Sequence, residues 1–360
     1  DLAHRIERLR TAARVDHGFP LAEFAFCRRV LAYDHLGNVW TACDLLDEGA
    51  PSGETDRVLE DLLKTVAEAP VPERDRSPAL SSALSSNLSQ GEYEEAVRQA
   101  LAYIAAGDVY QVNLSQRFEG KLRIAPEELA LRLFEASPAP FSAFLSFDKR
   151  AIVSSSPERF LGVRDGAVET WPIKGTRPRG ATPEEDARLR AELLASEKER
   201  AELVMITDVL RNDLGRVCAC GSVQVAELRA VASHANVHHT YSRVVGRLRP
   251  GVDLVDLLQA TFPGGSVTGA PKVRAMEIIE ELEPTARGPY CGAIGYIGAD
   301  GTMDLNIAIR TVLCEGDRLT FQVGGGIVAD SRPADEYEET LHKARGILKA
   351  LGSDVNGTLA

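Results

Sequence analysis

No stretch of the 360 residues is rich in lysine and arginine, and acidic residues outnumber basic ones by 53 to 41, for a net charge of −12. A chain that tracks a phosphate backbone carries a basic patch, so nucleic acid is not an expected partner. Nor does any run approach the roughly 18 consecutive apolar residues of a membrane span, and the start lacks a charged-then-apolar signal pattern. These absences point to a soluble protein with no membrane partner. Disulfide spacing is lacking as well. Cys27, Cys43, Cys218, Cys220, Cys291 and Cys314 are scattered through a long chain, which reads as reduced, buried thiols and favours the cytoplasm. Cys218 and Cys220 share one face of a strand and read as core, because no second pair has zinc spacing. His234 and His238 lie four apart without a third ligand. There is no G-x-x-x-x-G-K-[ST], so the glycine stretches "FPGGSVTGAPK" and "VGGGIVADS" are not P-loops. They read either as plain turns or as places where backbone amides approach an anion closely. The initiating methionine is missing too: the chain opens on Asp1 and reads as a fragment.

What is present is an ordinary globular composition, 44% hydrophobic and 26% charged, enough for one large domain or two smaller ones. Residues 1–75 read as the remnant of an N-terminal segment contributing strands, with a hairpin over 21–46 around His35-Leu36-Gly37-Asn38. The proline- and serine-rich "PVPERDRSPALSSALSSNLS" marks residues 76–90 as a linker. Residues 91–353 form the main domain and 354–360 a tail. Its first helix closes on Gly107, and "VYQVNLSQRF" follows as a strand. Thr182 to Glu185 and Ser196 to Glu199 have capping-box spacing, each opening a helix. Strands dominate over 216–247 and 291–329, with helices near 252–260, 271–283 and 334–350. Helices and antiparallel strands in separate blocks predict an α+β fold.

The hairpin "RFLGVRDGAVETWPIKG" turns at Asp165-Gly166 and carries Lys174. With a three-residue loop Glu158 would stand opposite Lys174 on one face, about 5 Å away; a two-residue loop would put them on opposite faces. Lys174 is either half of a surface salt bridge or, among Pro157, Phe160, Trp171 and Ile173, a nucleophile, since an apolar setting favours the neutral amine. Glu199/Glu202 and Glu336/Glu339 are paired i, i+3 on predicted helices. Like charges so placed repel unless something positive lies between them, and Mg²⁺ would serve. The alternative is a solvated acidic face with Lys198–Glu202 and Glu339–Lys343 pairs at i, i+4.

Taken together, "GDVYQVNLSQRF", "SSPERF", "PIKGT", "ERAELVMITDVLRNDLGRV", "FPGGSVTGAPKVRAMEIIEELEP", "CGAIGY", "IAIRT" and "GGGIVADS...EYEETLHKA" resemble the chorismate-utilising enzymes. The likeness spans residues 91–350 and is weaker before. Within the family the chain looks most like the component I that makes 4-amino-4-deoxychorismate for 4-aminobenzoate and folate, because the anthranilate-forming branch typically has Pro-Ile-Ala-Gly-Thr where this chain has Lys174. The runner-up is that branch or another chorismate-aminating enzyme. A non-catalytic chorismate-binding scaffold would be expected to have lost Glu158, Lys174 or the paired glutamates, and all are present. A nucleotide-binding module lacks the strand-glycine-helix context.

The resemblance implies one large α+β domain of packed antiparallel sheets flanked by helices, with part of its N-terminal region missing from this sequence. It implies that Lys174 adds to C2 of chorismate and reserves that carbon, and that Glu158 is the acid at the C4 oxygen. Glu199, Glu202, Glu336 and Glu339 would hold Mg²⁺ against the C1 carboxylate, beside Lys343 and the amides of Gly324 and Gly326. Tyr290 and Arg310 would grip the enolpyruvyl carboxylate, while Gly175, Thr176, His239 and Thr268 line the ring and its C4 side. Gln111 stands where water-adding relatives carry a lysine. A glutamine amidotransferase subunit is the implied ammonia source.

Overall fold

Residues 141–171 and 293–327 supply most strands of two antiparallel seven-stranded sheets, and those over 150–156, 311–315 and 318–327 are buried on both faces rather than alternating. The structure is a computed structural model describing residues 1–9, 13–45, 52–70, 77–234 and 237–353. The strands are β1 (Arg29–Asp34), β2 (Val39–Asp44), β3 (Ser85–Ser86), β4 (Gln111–Lys121), β5 (Phe141–Phe147), β6 (Arg150–Ser156), β7 (Arg159–Arg164) and β8 (Ala167–Trp171). They continue with β9 (Ile173–Pro178), β10 (Gln224–Ser233), β11 (Val237–Arg247), β12 (Gly269–Ala270), β13 (Ala293–Ile297), β14 (Met303–Ile307), β15 (Thr311–Glu315) and β16 (Arg318–Ile327). The helices are α1 (Ala3–Ile6), α2 (Ser52–Glu68), α3 (Gln90–Ala106), α4 (Pro126–Ala136), α5 (Pro183–Ala195), α6 (Glu197–Gly215), α7 (Leu254–Thr261), α8 (Lys272–Leu282) and α9 (Pro333–Ala350).

Two compact units divide the chain. Ala22–Arg76 holds the β1–β2 hairpin and α2, and Asp1–Leu21 together with Ser77–Ala360 holds everything else. In the larger unit one sheet runs β10-β11-β8-β7-β14-β13, with β9 also paired to β11; the other runs β12-β4-β16-β15-β6-β5, with β3 on β4. Every strand-to-strand ladder is antiparallel among the described residues, as expected for an α+β fold.

Helices cover each sheet with the apolar stripe their sequence provides. Leu129 and Leu133 of α4 and Leu341, Ile347 and Leu348 of α9 pack with Phe118, Val153 and Phe321. Tyr93 and Val97 of α3 and Ile278 of α8 meet Val112, Leu114 and Ile327. On the other sheet Phe160, Leu161 and Val244 are covered by Leu214 of α6 and Leu257 of α7. A smaller cluster joins the sheets themselves: Ile152 and Leu313 from one meet Ile294 from the other, with Ala308 and Phe19.

Several expectations shift. The segment over 76–90, read as a linker, is packed from residue 77 onward: Ala79 and Leu84 are fully buried and β3 pairs with β4. Its serines gave it a loop's composition, but its leucines and alanines fill a groove. Residues 71–76 and the tail 354–360 lie outside the described residues. Residues 1–21, grouped with the N-terminal segment, belong to the larger unit, where Asp16 receives two bonds from Arg117. The strand expected from 216 begins at Gln224, after turns, and the helix expected at 252 begins at Leu254 behind its Asp253 cap. Cys27, Cys43 and Cys220 are exposed rather than buried, and all six thiols are free.

Candidate active site

The Asp165-Gly166 hairpin turns through two residues, both with positive φ, so the strands leave it with Arg164 opposite Ala167. The three-residue loop is therefore not what brings position 158 towards position 174. A register shift between Arg159 and Gly162 comes first. Pro172 then ends β8, which pairs with both β7 and β11, and the chain continues along β11 as β9 without β7, with Lys174 opposite Thr240. Lys174 comes near Glu158, on whose carboxyl its charge acts, after the strand has left β7. Its surroundings also differ from the apolar pocket expected: Trp171 is stacked on Tyr241, and the Lys174 amine faces Glu202 Oε2 at 3.8 Å.

Glu158 lies between β6 and β7 and is 5% exposed. Burial pushes its carboxyl up to about 7, against the hydrogen bond from Ser266, the charge of Lys174 and the amide of Ile173. A carboxyl in this state donates a proton near neutrality. Arg310 follows β14 with a positive φ of 49°. Its carbonyl accepts from the Ser155 amide at 3.1 Å, while its guanidinium has no hydrogen-bond or ion-pair partner among the described residues; burial lowers its pKa, with the Glu158 charge opposing. An unpaired guanidinium held out of water is a fork for a carboxylate. Tyr290 is buried, keeps its phenol proton well above the usual range because of that burial, and lies under the Arg287 guanidinium.

His239 sits in β11, where its Nδ1 shares a 2.8 Å bond with Thr176 Oγ1. Burial, with the charge of Arg310, pulls its pKa down to about 3. It is a neutral imidazole whose Nε2 has no partner. Gly175, between Lys174 and Thr176, has φ +83°, and a methyl there would meet Leu193 at 2.9 Å and the Glu199 carboxyl at 3.0 Å. Only glycine lets this strand pass so close to α6.

The opposite wall comes from the second sheet. Asn113 and Ser115 direct their amides to Thr268 O and Glu283, away from β16. Gly326 and Gly324, which stand opposite them, therefore turn their own amides away from β4 as well. A methyl on Gly326 would sit 2.8 Å from Gln111 Nε2 and 3.2 Å from Lys174 Nζ. Lys343 Nζ donates to Gly324 O at 2.8 Å. Thr268 follows the 3₁₀ turn Gly265–Val267 and spends its hydroxyl proton on Gly264 O at 3.0 Å.

Glu199 and Glu202 lie in the first turns of α6, Glu336 and Glu339 in those of α9. The expected Lys198–Glu202 pair does not form: Lys198 reaches across to Glu336 at 3.7 Å. The Glu339–Lys343 pair does, at 2.7 Å. Burial raises the Glu336 carboxyl; Glu339 is lowered, since Lys343, Lys174 and Lys198 outweigh its burial. A methyl on Gly325 would approach Glu336 Oε2 at 3.0 Å and Glu339 Oε1 at 3.6 Å. Among the described residues no three histidine, cysteine or acidic side chains form a closed cage. Mg²⁺ does not need one, since it takes one or two carboxylates, waters and an anionic substrate. Glu199 Oε2, buried without a partner, is a donor of that kind, so the residues fit the ion.

The buried polar atoms lacking a partner include both Gln111 amide atoms, Glu199 Oε2 and His239 Nε2. Buried polar atoms are nearly always bonded, and exceptions ask for a ligand or water. Some contributors carried no signal in the sequence. Ser266 touches Glu158, Arg177 bonds Glu199 at 2.8 Å, and Arg287 ties Val267 O and Asn113 O to Glu283. Apart from the Glu283–Arg287 pair at i, i+4, their spacing from the residues they serve follows no local period.

Two antiparallel sheets close around a carboxyl raised to about 7, an unpaired guanidinium and an amine, a set of groups suited to an anionic small molecule. The chain belongs to the chorismate binding enzyme family, whose profile matches residues 1–349. It is 51% identical over 274 residues to aminodeoxychorismate synthase component 1 of Klebsiella aerogenes, covering 76% of this chain and 61% of the relative. It is 49% identical over 266 residues to anthranilate synthase component 1 of Aquifex aeolicus, covering 74% and 54%. The chain thus spans a little over half of each curated relative's length. The crystal structure of anthranilate synthase component I from Streptococcus pneumoniae superposes with a TM-score of 0.78 at 37% identity, over 88% of this chain and 71% of that one.

Proposed function

We propose that the chain aminates chorismate at C4, giving 4-amino-4-deoxychorismate, with Lys174 as the nucleophile. Relatives named for two different reactions are almost equally similar, so overall identity does not choose between them. The observation that carries the choice is the Lys174 amine, held between Glu202 and the floor at Gly326 and close enough for its charge to act on Glu158.

Arg310 and Tyr290 bind the enolpyruvyl carboxylate. Lys343 and the free amides of Gly324 and Gly326 receive the ring carboxylate at C1. Glu199, Glu202, Glu336 and Glu339 would hold Mg²⁺, which when bound neutralises that carboxylate and orients the ring. The Lys174 nitrogen adds at C2, both ring double bonds shift, and the C4 hydroxyl departs as water with the proton of Glu158. Ammonia then adds at C4, the double bonds shift back, and the lysine leaves. Because Lys174 fills C2 first, ammonia is excluded from the carbon where anthranilate chemistry begins. His239, neutral and capped by Thr176, lines the C4 side with Thr268. Gln111 cannot take a proton from water, which favours ammonia over water as the incoming group. The relatives' designation "component 1" supports a partner component, and a glutamine amidotransferase subunit would supply the ammonia.

The test is a product assay with chorismate, Mg²⁺ and excess ammonium at mildly alkaline pH, with and without an aminodeoxychorismate lyase. 4-Aminobenzoate appearing only with the lyase is the expected result. Anthranilate accumulating without it would sink the assignment. Lys174→Ala should lose C4 amination, and unchanged aminodeoxychorismate formation by that variant would remove the nucleophile role.

A further inference from the structure

Each of the four glutamates already faces a cation from the chain itself. Arg177 Nη1 lies 2.8 Å from Glu199 Oε1, Lys174 Nζ 3.8 Å from Glu202, Lys198 Nζ 3.7 Å from Glu336, and Lys343 Nζ 2.7 Å from Glu339. Lys174 and Lys343 have substrate roles in the proposal above. Arg177 and Lys198 have none, and each links separate elements: Arg177 joins β9 to α6, as Lys174 does, and Lys198 joins α6 to α9. Arg177 is further fixed by a 2.8 Å bond to Thr176 O.

We propose that Arg177 and Lys198 are resident counter-cations that a divalent ion must displace, and that they keep metal binding weak until an anionic substrate is present. The inference rests on the metal reading given above. Without these two cations the carboxylates of α6 and α9 would repel one another across the cleft. With them, a dication gains only the difference between its own attraction and that of the pairs it breaks. An incoming molecule with two carboxylates changes this balance, because it supplies negative charge to which a displaced guanidinium or ammonium can turn. Metal and substrate then favour each other's binding, and by linkage the coupling is reciprocal.

Calorimetric titration with Mg²⁺ alone, without chorismate, tests this. Arg177→Gln and Lys198→Gln should each bind Mg²⁺ more tightly than the unaltered chain, by roughly fivefold, the worth of one partly exposed ion pair. Arg177→Lys keeps the charge and should stay close to the unaltered value, which separates lost competition from lost packing. Chorismate should tighten Mg²⁺ binding in the unaltered chain by a larger factor than in Arg177→Gln. Equal or weaker Mg²⁺ binding by both neutral variants, with thermal melting showing them folded, overturns the exchange. If Glu199→Gln and Glu336→Gln leave Mg²⁺ binding untouched, the metal reading itself fails. That failure is distinguishable, because when only the exchange is wrong the glutamine variants of the carboxylates still abolish binding.

Discussion

Glu158 shows how one side chain can set both a rate and a stability. Its carboxyl is raised from 4.5 to about 7 by burial. The protonated form, which the proposed reaction needs at the C4 oxygen, therefore dominates below pH 7 and declines above it. If that proton transfer limits turnover, kcat/KM should fall about tenfold per pH unit on the alkaline side. Glu158→Gln should reduce turnover by about 10²–10⁴-fold and flatten that limb of the profile. Stability follows the same titration. The folded chain binds this proton more tightly than the unfolded one, so the contribution is complete below pH 4.5, is lost as pH rises to about 7, and is constant beyond. Ligand-free Glu158→Gln should then be more stable than the unaltered chain at pH 8, by on the order of 3 kcal/mol, with the gap closing below pH 5. Denaturant melts at the two pH values measure it, and a gap independent of pH would count against a titrating Glu158. His239 works against this over part of the range: burial lowers its pKa from 6.5 to about 3, so its contribution grows as pH rises from about 3 to 6.5, but it is common to both chains and cancels from the gap between them.

At the level of elements, the passage from β8 to β9 decides what the site contains. Asp165-Gly166 announces its turn plainly, and the apolar stripes of α3, α4, α8 and α9 announce their helices, because both depend on neighbours within a few residues. The register shift at Arg159 is not announced by the hairpin turn, and the departure from β7 at Pro172 leaves β9 held by β11, far away in sequence, so the route by which Lys174 meets Glu158 was not legible. The same holds for Lys198: local spacing offered Glu202, whereas packing of α6 beside α9 gave it Glu336. The expected capping boxes are half made, since Ser196 accepts from the Glu199 amide while the Glu199 carboxylate turns to Arg177. Gly175 is where this element is most easily broken. Gly175→Ala combines a disfavoured φ with a contact at 3.0 Å to Glu199. It should cost about 1–3 kcal/mol in a thermal or denaturant melt and weaken Mg²⁺ binding as Glu199 is pushed aside. A stability equal to the unaltered chain's would show that β9 can retreat freely.

For the whole molecule, the α+β class and the helical flanks were legible from block patterning, whereas the layering was not. The cluster of Ile152, Leu313, Ile294, Ala308 and Phe19 joins residues that no periodicity connects. It fixes the sheet carrying Lys174 and His239 against the sheet carrying Gln111 and Gly326, with Glu158 and Arg310 on segments that pass between the two. Leu313→Ala should lose about 2–5 kcal/mol and raise the KM for chorismate more than it lowers kcat, since the two walls lose their spacing. Urea melts and steady-state kinetics give both quantities; a purely global loss of stability with KM unchanged would mean the walls are held elsewhere.

The site draws on Gln111 near the start of the larger unit's strands and on Lys343 in its last helix. During synthesis, at roughly 5–20 residues per second, Gln111, Glu158 and Lys174 leave the ribosome well before Glu336 and Lys343 have been made. The nascent chain thus carries Lys174 and Glu158 before Glu336 and Lys343 exist, so the proposed site is complete only once α9 has docked.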